Sequence, residues 1–326
     1  MKDKAAVSKL QVFFKSNQVG MALLISALLF ALTVLLNPKS LNQIAIGSIL
    51  SLTSMLLIAS AGQTLVIISD GIDMSVGSTM SMTALITVAI MQGDGGMDRL
   101  FLSILAAIGV GLTVGFFNGV GTVKAGLPPM VVTLYISNIV GRLQYVFTGG
   151  TPEYTSVPKW FNQLVTTRQF GFFPHIVLLA VLFFVVVFFI LSRTRYGQQL
   201  TLTGNNNRAA YLNGIRTSRI KMLNYTIAGV LAGLAGVIGA ANSGYIQCGT
   251  YDAMSMQSIV AVVIGGTLLS GGKGSFTGTT AGALLFTILN NGLAVLQVSD
   301  SIRNLIMGIV LILLLAAYNR SKPVRQ

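Results

Sequence analysis

The chain has 326 residues, 53% hydrophobic and only 9% charged, with a formal net charge of +13. Soluble domains carry about 25% charged residues, so this composition excludes an ordinary soluble fold and predicts an all-α, polytopic membrane protein. A single cysteine (Cys248) and a single histidine (His175) exclude an internal disulfide and a multi-histidine or Cys-rich metal site. The basic residues lie in short tracts between apolar runs, a pattern of membrane orientation rather than of nucleic-acid binding.

Residues 1–18 carry Lys2, Lys4, Lys9 and Lys15 against one acid, Asp3. The apolar run 19–36 is long enough to cross a bilayer, and no small-residue cleavage motif follows it. It is expected as a retained first span rather than a signal peptide. Further spans are expected at 44–69, 74–92, 100–121, 128–148 and 174–192. After a polar segment, 193–221, four more follow at 222–242, 254–270, 276–297 and 301–318, making ten. The expected organisation is a cytoplasmic N-terminal segment 1–18, a single membrane domain 19–318, and a cytoplasmic tail 319–326.

Charge tests this topology. With the N-terminus inside, fifteen Lys/Arg fall in cytoplasmic segments and five in the opposite loops, with Arg142 left inside a span. Both termini and the middle of the chain satisfy the positive-inside rule in one orientation. The segment 128–148 begins Pro128-Pro129 and contains Asn138, Arg142 and Gln144. A re-entrant reading of it would reverse every later span, so a full crossing is favoured. The longest outer loop, 149–173, holds Glu153, Tyr154, Lys159, Trp160 and Arg168. Asn118-Gly119 and Asn291-Gly292 would correspond if five spans were repeated with inverted topology, the arrangement in which interrupted helices meet at the midplane. Coincidence of common residues explains that pair equally well.

No catalytic set is present in the sequence. Gly271-Gly272-Lys273-Gly274-Ser275 resembles part of a phosphate loop, but Thr267 stands where the first glycine belongs. His175 has no nucleophile–acid companions, so an enzyme is not expected. Intramembrane polar residues are the remaining candidates. Arg142 is an ionisable group at membrane depth and so a functional candidate, with snorkelling to the interface as the other reading. Gln63, Asn118, Asn138, Asn290 and Asn291 either line a pathway for a hydroxyl-rich solute or hold helices together. Asp70 and Asp73 lie near span ends and no Asp or Glu falls in mid-span. That absence argues against an ion-coupled secondary transporter, the competing reading, and suggests that another polypeptide supplies the energy. In the same segment Asp73 or Ser75 is expected to cap the next helix, and Gly71 and Gly77 to permit a turn or close packing.

The run Gly71-Ile72-Asp73-Met74-Ser75-Val76-Gly77-Ser78 resembles the signature of ribose-type permeases, the membrane subunits of ABC importers for simple sugars. Further stretches fit the same pattern in the same order: Gly115-Phe116-Phe117-Asn118-Gly119, Thr148-Gly149-Gly150, Arg195-Tyr196-Gly197, Gly204-Asn205 with Ala209-Ala210 and Gly214-Ile215, Gly265-Gly266-Thr267 with Ser270 to Gly274, and Asn290 to Leu293. The resemblance covers roughly residues 45 to 315. Asp70, Thr203 and the order Gly141-Arg142 depart from it.

The resemblance implies a subunit without cofactor of its own, in a bacterial inner membrane. Implied partners are a second permease, identical or related, ABC ATPase subunits that use ATP and Mg, and an extracytoplasmic sugar-binding protein. It further implies that the 193–221 loop docks on the ATPase through Gly204, Asn205, Arg208, Ala209, Ala210, Tyr211, Leu212 and Gly214. A short helix Arg208–Leu212, capped by Asn207 and ended by Gly214, fits that role. On the outer side Lys159, Arg168 and Arg303 are candidates to meet the binding protein.

Overall fold

The computed structural model describes residues 18–92, 95–150, 156–299, 301–303, 305–306 and 308–309. The segments 1–17 and 319–326, most of the tenth expected span, and Glu153 and Tyr154 lie outside the described residues. Helix α1 (Gln18–Leu36) leads through a 3-10 turn into α2 (Gln43–Ile68). Then come α3 (Val76–Met91), α4 (Met97–Gly119, extended by a π turn over Val120–Lys124) and α5 (Pro129–Phe147). A short α6 (Lys159–Thr166) precedes a two-residue antiparallel pair, β1 (Arg168–Gln169) and β2 (Phe173–Pro174). Helix α7 (Ile176–Arg193), α8 (Arg195–Asn205), α9 (Asn207–Leu212), α10 (Thr217–Ser243), α11 (Met254–Ile264) and α12 (Phe276–Val295) complete the order.

Among the described residues, seven helices are long and apolar enough to cross a membrane: α1, α2, α4 with its π turn, α5, α7, α10 and α12. The expected spans 74–92 and 254–270 are instead shorter helices of 16 and 11 residues, each entered by an irregular lead. At 1.5 Å per residue, 11 residues cover only about 16 Å, half a bilayer core. Composition misleads at 254–270 because Gly265 and Gly266 end the helix, Gly266 at φ +90, while the residues beyond it stay apolar.

Local chemistry sets the ends. Asn42 accepts from Ala45 N (2.7 Å) at the start of α2, and Ser275 accepts from Gly278 N (3.0 Å) at the start of α12. Pro128-Pro129 opens α5, where a missing N–H costs nothing. Helices α2 and α10 form the centre and pack antiparallel: Gly62 lies against Ala228, and Val66 clusters with Tyr225. On the other side of α10, Gly111 and Gly229 face each other so closely that a Cβ on either would sit 2.3 or 2.2 Å from the other's carbonyl oxygen. Small residues allow this close seam, which a bilayer favours because apolar burial gives helices no preference over lipid. At the rim, Leu28, Leu35, Leu182 and Phe189 expose their side chains, as a lipid-facing surface requires.

Candidate functional site: two interrupted helices and a docking segment

Helix α2 ends at Ile68, and the chain turns back through Asp70, a non-glycine residue at φ +65. Gly71 then packs on Tyr225, about 12 Å along α10 from its start. The lead 71–75 climbs further before α3 begins at Val76. From the opposite direction, α10 ends at Gly244 (φ +77), and the lead 245–253 dips back to place Asp252 and Ser255 beside Gly77. Two long helices that run in opposite directions are thus each followed by a lead and a short helix. The two short helices meet in the interior, the arrangement expected of interrupted transporter helices. The correspondence suggested by Asn118 and Asn291 is not carried by those residues, whose surroundings differ.

The first lead is held by buried polar groups. Asp73 is 1% exposed, and its Oδ1 accepts from Ser75 N (2.8 Å) and Ser75 Oγ (2.6 Å). Asn118 of α4, also fully buried, donates to Ser75 Oγ (2.7 Å) and more weakly to Asp73 Oδ1 (3.4 Å). Thr133 of α5 accepts from Met74 N (3.0 Å). Ser75 precedes α3, yet neither it nor Asp73 makes a side-chain cap to the helix, which corrects the expected role. Their side chains bond to each other and to Asn118 of α4 instead. Asp73 is close in sequence to a helix end but fully enclosed, because the break lies inside the protein rather than at its face. The close packing expected of the two glycines is present: a Cβ on Gly77 would sit 2.4 Å from Asp252 O.

The meeting of the two short helices is itself hydrogen-bonded. Ser255 Oγ accepts from Gly77 N (2.8 Å) and donates to Met74 O (2.8 Å). Ser81 Oγ donates to Asp252 Oδ1 (3.0 Å) and accepts from Tyr251 N (2.9 Å). Gln144 of α5, fully buried, accepts from Gly249 N (2.8 Å) and donates to Ser78 O (3.2 Å). One amide therefore ties α5 to both interrupted elements. Sequence reasoning noted Gln144 only as a polar residue in a span and missed Ser81, Asp252 and Ser255. The available signal was three polar side chains at the approach to a short apolar run.

The other expected pathway residues do not converge. Gln63 is enclosed in α2, and its amide oxygen and nitrogen have no hydrogen-bond partner among the described residues. Asn138 is exposed on α5 and donates to Leu134 O of its own helix (3.0 Å), and Arg142 is exposed one turn later. Asn290 accepts from Arg303 Nη1 (3.3 Å) near the far end of α12, and Asn291 is half-buried beside it. Of the three residues expected to meet the binding protein, Lys159 is exposed, while Arg168 is half-buried over Gly47 and Arg303 is half-buried on Asn290. A groove of about 1010 Å³ between α4 and α5, lined by Val110, Phe117, Val131, Tyr135 and Leu143, is almost wholly apolar and unsuited to a sugar.

The polar segment 193–221 folds into α8 and α9. Thr194 caps α8 by accepting from Gly197 N (3.3 Å). Tyr196 donates to Asn224 Oδ1 of α10, and burial pushes its hydroxyl up to about 12, so it stays a donor at physiological pH. Asn206, not Asn207, caps α9, accepting from Ala209 N (2.9 Å); Gly214 follows at φ +81. The cap moves by one because three consecutive asparagines compete for it and Asn206 alone adopts the extended backbone a cap needs. Tyr211 and Leu212 are 68% and 77% exposed, and Arg208 and Ala209 are exposed beside them. Ala210 is buried, and Gly204 is buried against Ile68. The outward-facing part of the expected docking set is therefore Asn205, Arg208, Ala209, Tyr211, Leu212 and Gly214. Asn205 is exposed at the junction of the two helices.

Residues 45–315 match the family of the branched-chain amino acid transport system permease component. The chain is 32% identical over 301 residues to the ribose import permease protein of Escherichia coli K12, covering 90% of this chain and 91% of that one. It is 31% identical to the ribose import permease protein of Bacillus subtilis, covering 88% of each chain. It is 33% identical to the autoinducer 2 import system permease protein of Yersinia enterocolitica, covering 92% of this chain and 82% of the relative. No solved structure matches.

Proposed function

We propose, from the premise that this chain belongs to the family of branched-chain amino acid transport system permease components, that it is the permease subunit of an ATP-driven importer for a simple sugar or related polyol. Support for the substrate class comes from relatives named for ribose and autoinducer 2 import, which align over nearly their whole lengths. In this reading the basic segment 193–221 and both termini face the cytoplasm, the chain crosses a bacterial inner membrane ten times, and a second permease completes the pathway. ATPase subunits seat on α9, and an extracytoplasmic binding protein delivers the sugar to the face that carries Lys159. The interrupted helices α3 and α11 move between inward- and outward-open states. Gln63 and Asn118 are the candidates to offer donors and acceptors that replace a sugar's lost water.

The observation that carries the proposal is α9: a capped helix of six residues with a glycine stop and two large apolar side chains held out into water. Exposed apolar side chains on an otherwise polar segment fit a cleft on a partner. Replacing Leu212 with Glu is expected to abolish co-purification of the ATPase while the permease still inserts. Retained co-purification overturns the docking assignment. A second reading, an ion-coupled secondary transporter, gains one observation, the enclosed carboxylate of Asp73. Its Oδ1 is already committed to Ser75, which fits a structural tie better than an ion relay.

A further inference from the structure

At the foot of α8, three segments distant in sequence meet backbone to backbone. A Cβ on Gly204 would lie 1.8 Å from Ile68 O and 2.6 Å from Gly272 N, and Gly272 N itself donates to Ile68 O (2.8 Å). Gly272 has φ +75, and a Cβ there would meet Asn205 Oδ1 at 2.1 Å. Its neighbour Gly271 lies against Asp70, whose Oδ2 is 3.8 Å from Lys221 Nζ at the start of α10. Ile68 is the last residue of α2, where the lead to α3 departs. Gly271 and Gly272 belong to the loop by which the chain leaves α11. Both interrupted helices are thus rooted on the same few atoms, and α8 presses on them with no side chain between.

We infer that the junction of Gly204 with Ile68 and Gly272 is the transmission point that carries movement of α8 and α9 into both interrupted helices. The inference rests on the docking role of α9 proposed above. Gly204 is a positioning residue: it touches neither the ATPase nor the sugar. Close-packed backbone leaves no slack, so a displacement at one side of the junction must appear at the other. The alternative route, from α9 directly into α10, runs through Gly214, where a Cβ would meet nothing within 4 Å and φ is +81. At Gly214 nothing is packed closely enough to pass a displacement on as the Gly204 junction does. Gly204→Ala drives a methyl into the Ile68 carbonyl and lifts α8 off the junction, leaving the exposed face of α9 unchanged.

Cys248, in the second lead, is a native reporter. In the complex with ATPase, its maleimide labelling rate, read by peptide mass mapping, is compared without nucleotide and after trapping with ATP and vanadate. The wild type is expected to show a rate change of about fivefold or more, the scale of ordinary coupling between sites. Gly204→Ala is expected to keep the ATPase bound and reduce that ratio to near unity. Three results overturn the inference: no nucleotide-dependent change in the wild type, a wild-type ratio in Gly204→Ala, or loss of the ATPase from Gly204→Ala, which would make Gly204 a docking residue. If Gly204→Ala does not accumulate, Gly272→Ala, which adds a methyl at the same junction 2.1 Å from Asn205 Oδ1, replaces it, and a wild-type ratio there overturns the inference equally. Failure of the docking reading is seen separately, as ATPase that stays bound to Leu212→Glu.

Discussion

The two interrupted helices differ in what holds them. The lead to α3 has a buried fastening of its own, Asp73 bonded to Ser75, and Asn118 from α4 and Thr133 from α5 reinforce it. The lead to α11 has only an exposed tie of its own, Thr250 with Gln247, and its buried fastenings come from outside, with Ser81 of α3 holding Tyr251 and Asp252, and Gln144 of α5 holding Gly249. Helix α3 has 16 residues and α11 only 11. An element with its own buried network is hard to shift, and one suspended from its neighbour follows that neighbour at small cost. By these bonds α3 is the better-fastened post, and α11, tied to α3 and α5, is the follower.

The largest effect is expected where the two meet. Gly77→Val forces a side chain into the carbonyls of Tyr251 and Asp252, 2.5 and 2.4 Å from an added Cβ. Backbone on both sides has no room to yield, so uptake is expected to vanish and detergent-extracted yield to fall; normal uptake would show that the short helices do not need contact. Next is Asn118→Leu, which strips a donor from the Ser75–Asp73 pair. Leaving a buried polar pair short of a donor costs about 1–3 kcal/mol, more where an acceptor is charged, read as a drop of several degrees in the melting temperature of the purified protein. A shift as small as that of a surface variant would deny the first lead its special fastening.

Gln144→Leu comes third. It leaves Gly249 N and Ser78 O to find other partners, at about 1–3 kcal/mol for a stranded buried group. The comparison sharpens here: labelling of Cys248, one residue from Gly249, is expected to accelerate, while Asn118→Leu leaves it nearly unchanged. Equal acceleration in both would erase the difference between post and follower. The smallest effect is expected from Asn206→Ala, which removes the cap of α9 at about 1 kcal/mol. Stability of the membrane domain is expected to stay within error, and ATPase affinity to weaken by severalfold in a binding titration.

Much of the fold was legible because hydropathy and charge act over whole spans. The long helices stand within a few residues of their expected places, and the polar segment 193–221 is recognisable by charge alone. The interrupted helices were not legible, since an apolar run does not record whether its backbone is helical throughout. Residues 254–270 read as one span until Gly265 and Gly266 are seen to stop α11. Asp73 illustrates the same limit for the site: its position beside a helix end implied water, and only the inward break encloses it. Asn118 was readable as a polar residue in a span, but its partners Ser75 and Asp73 are more than forty positions away. Arg142 and Asn138 stand on the open side of α5, where one chain's sequence does not distinguish lipid from a neighbouring subunit.

In the proposed function this chain is a permease subunit driven by a separate ATPase. The direct measurement is sugar uptake into proteoliposomes holding the purified permease, compared with and without its ATPase and binding protein, and with an imposed proton or sodium gradient. Uptake is predicted only when ATPase, ATP and the loaded binding protein are all present. Uptake by the permease alone, driven by the ion gradient, would contradict the account.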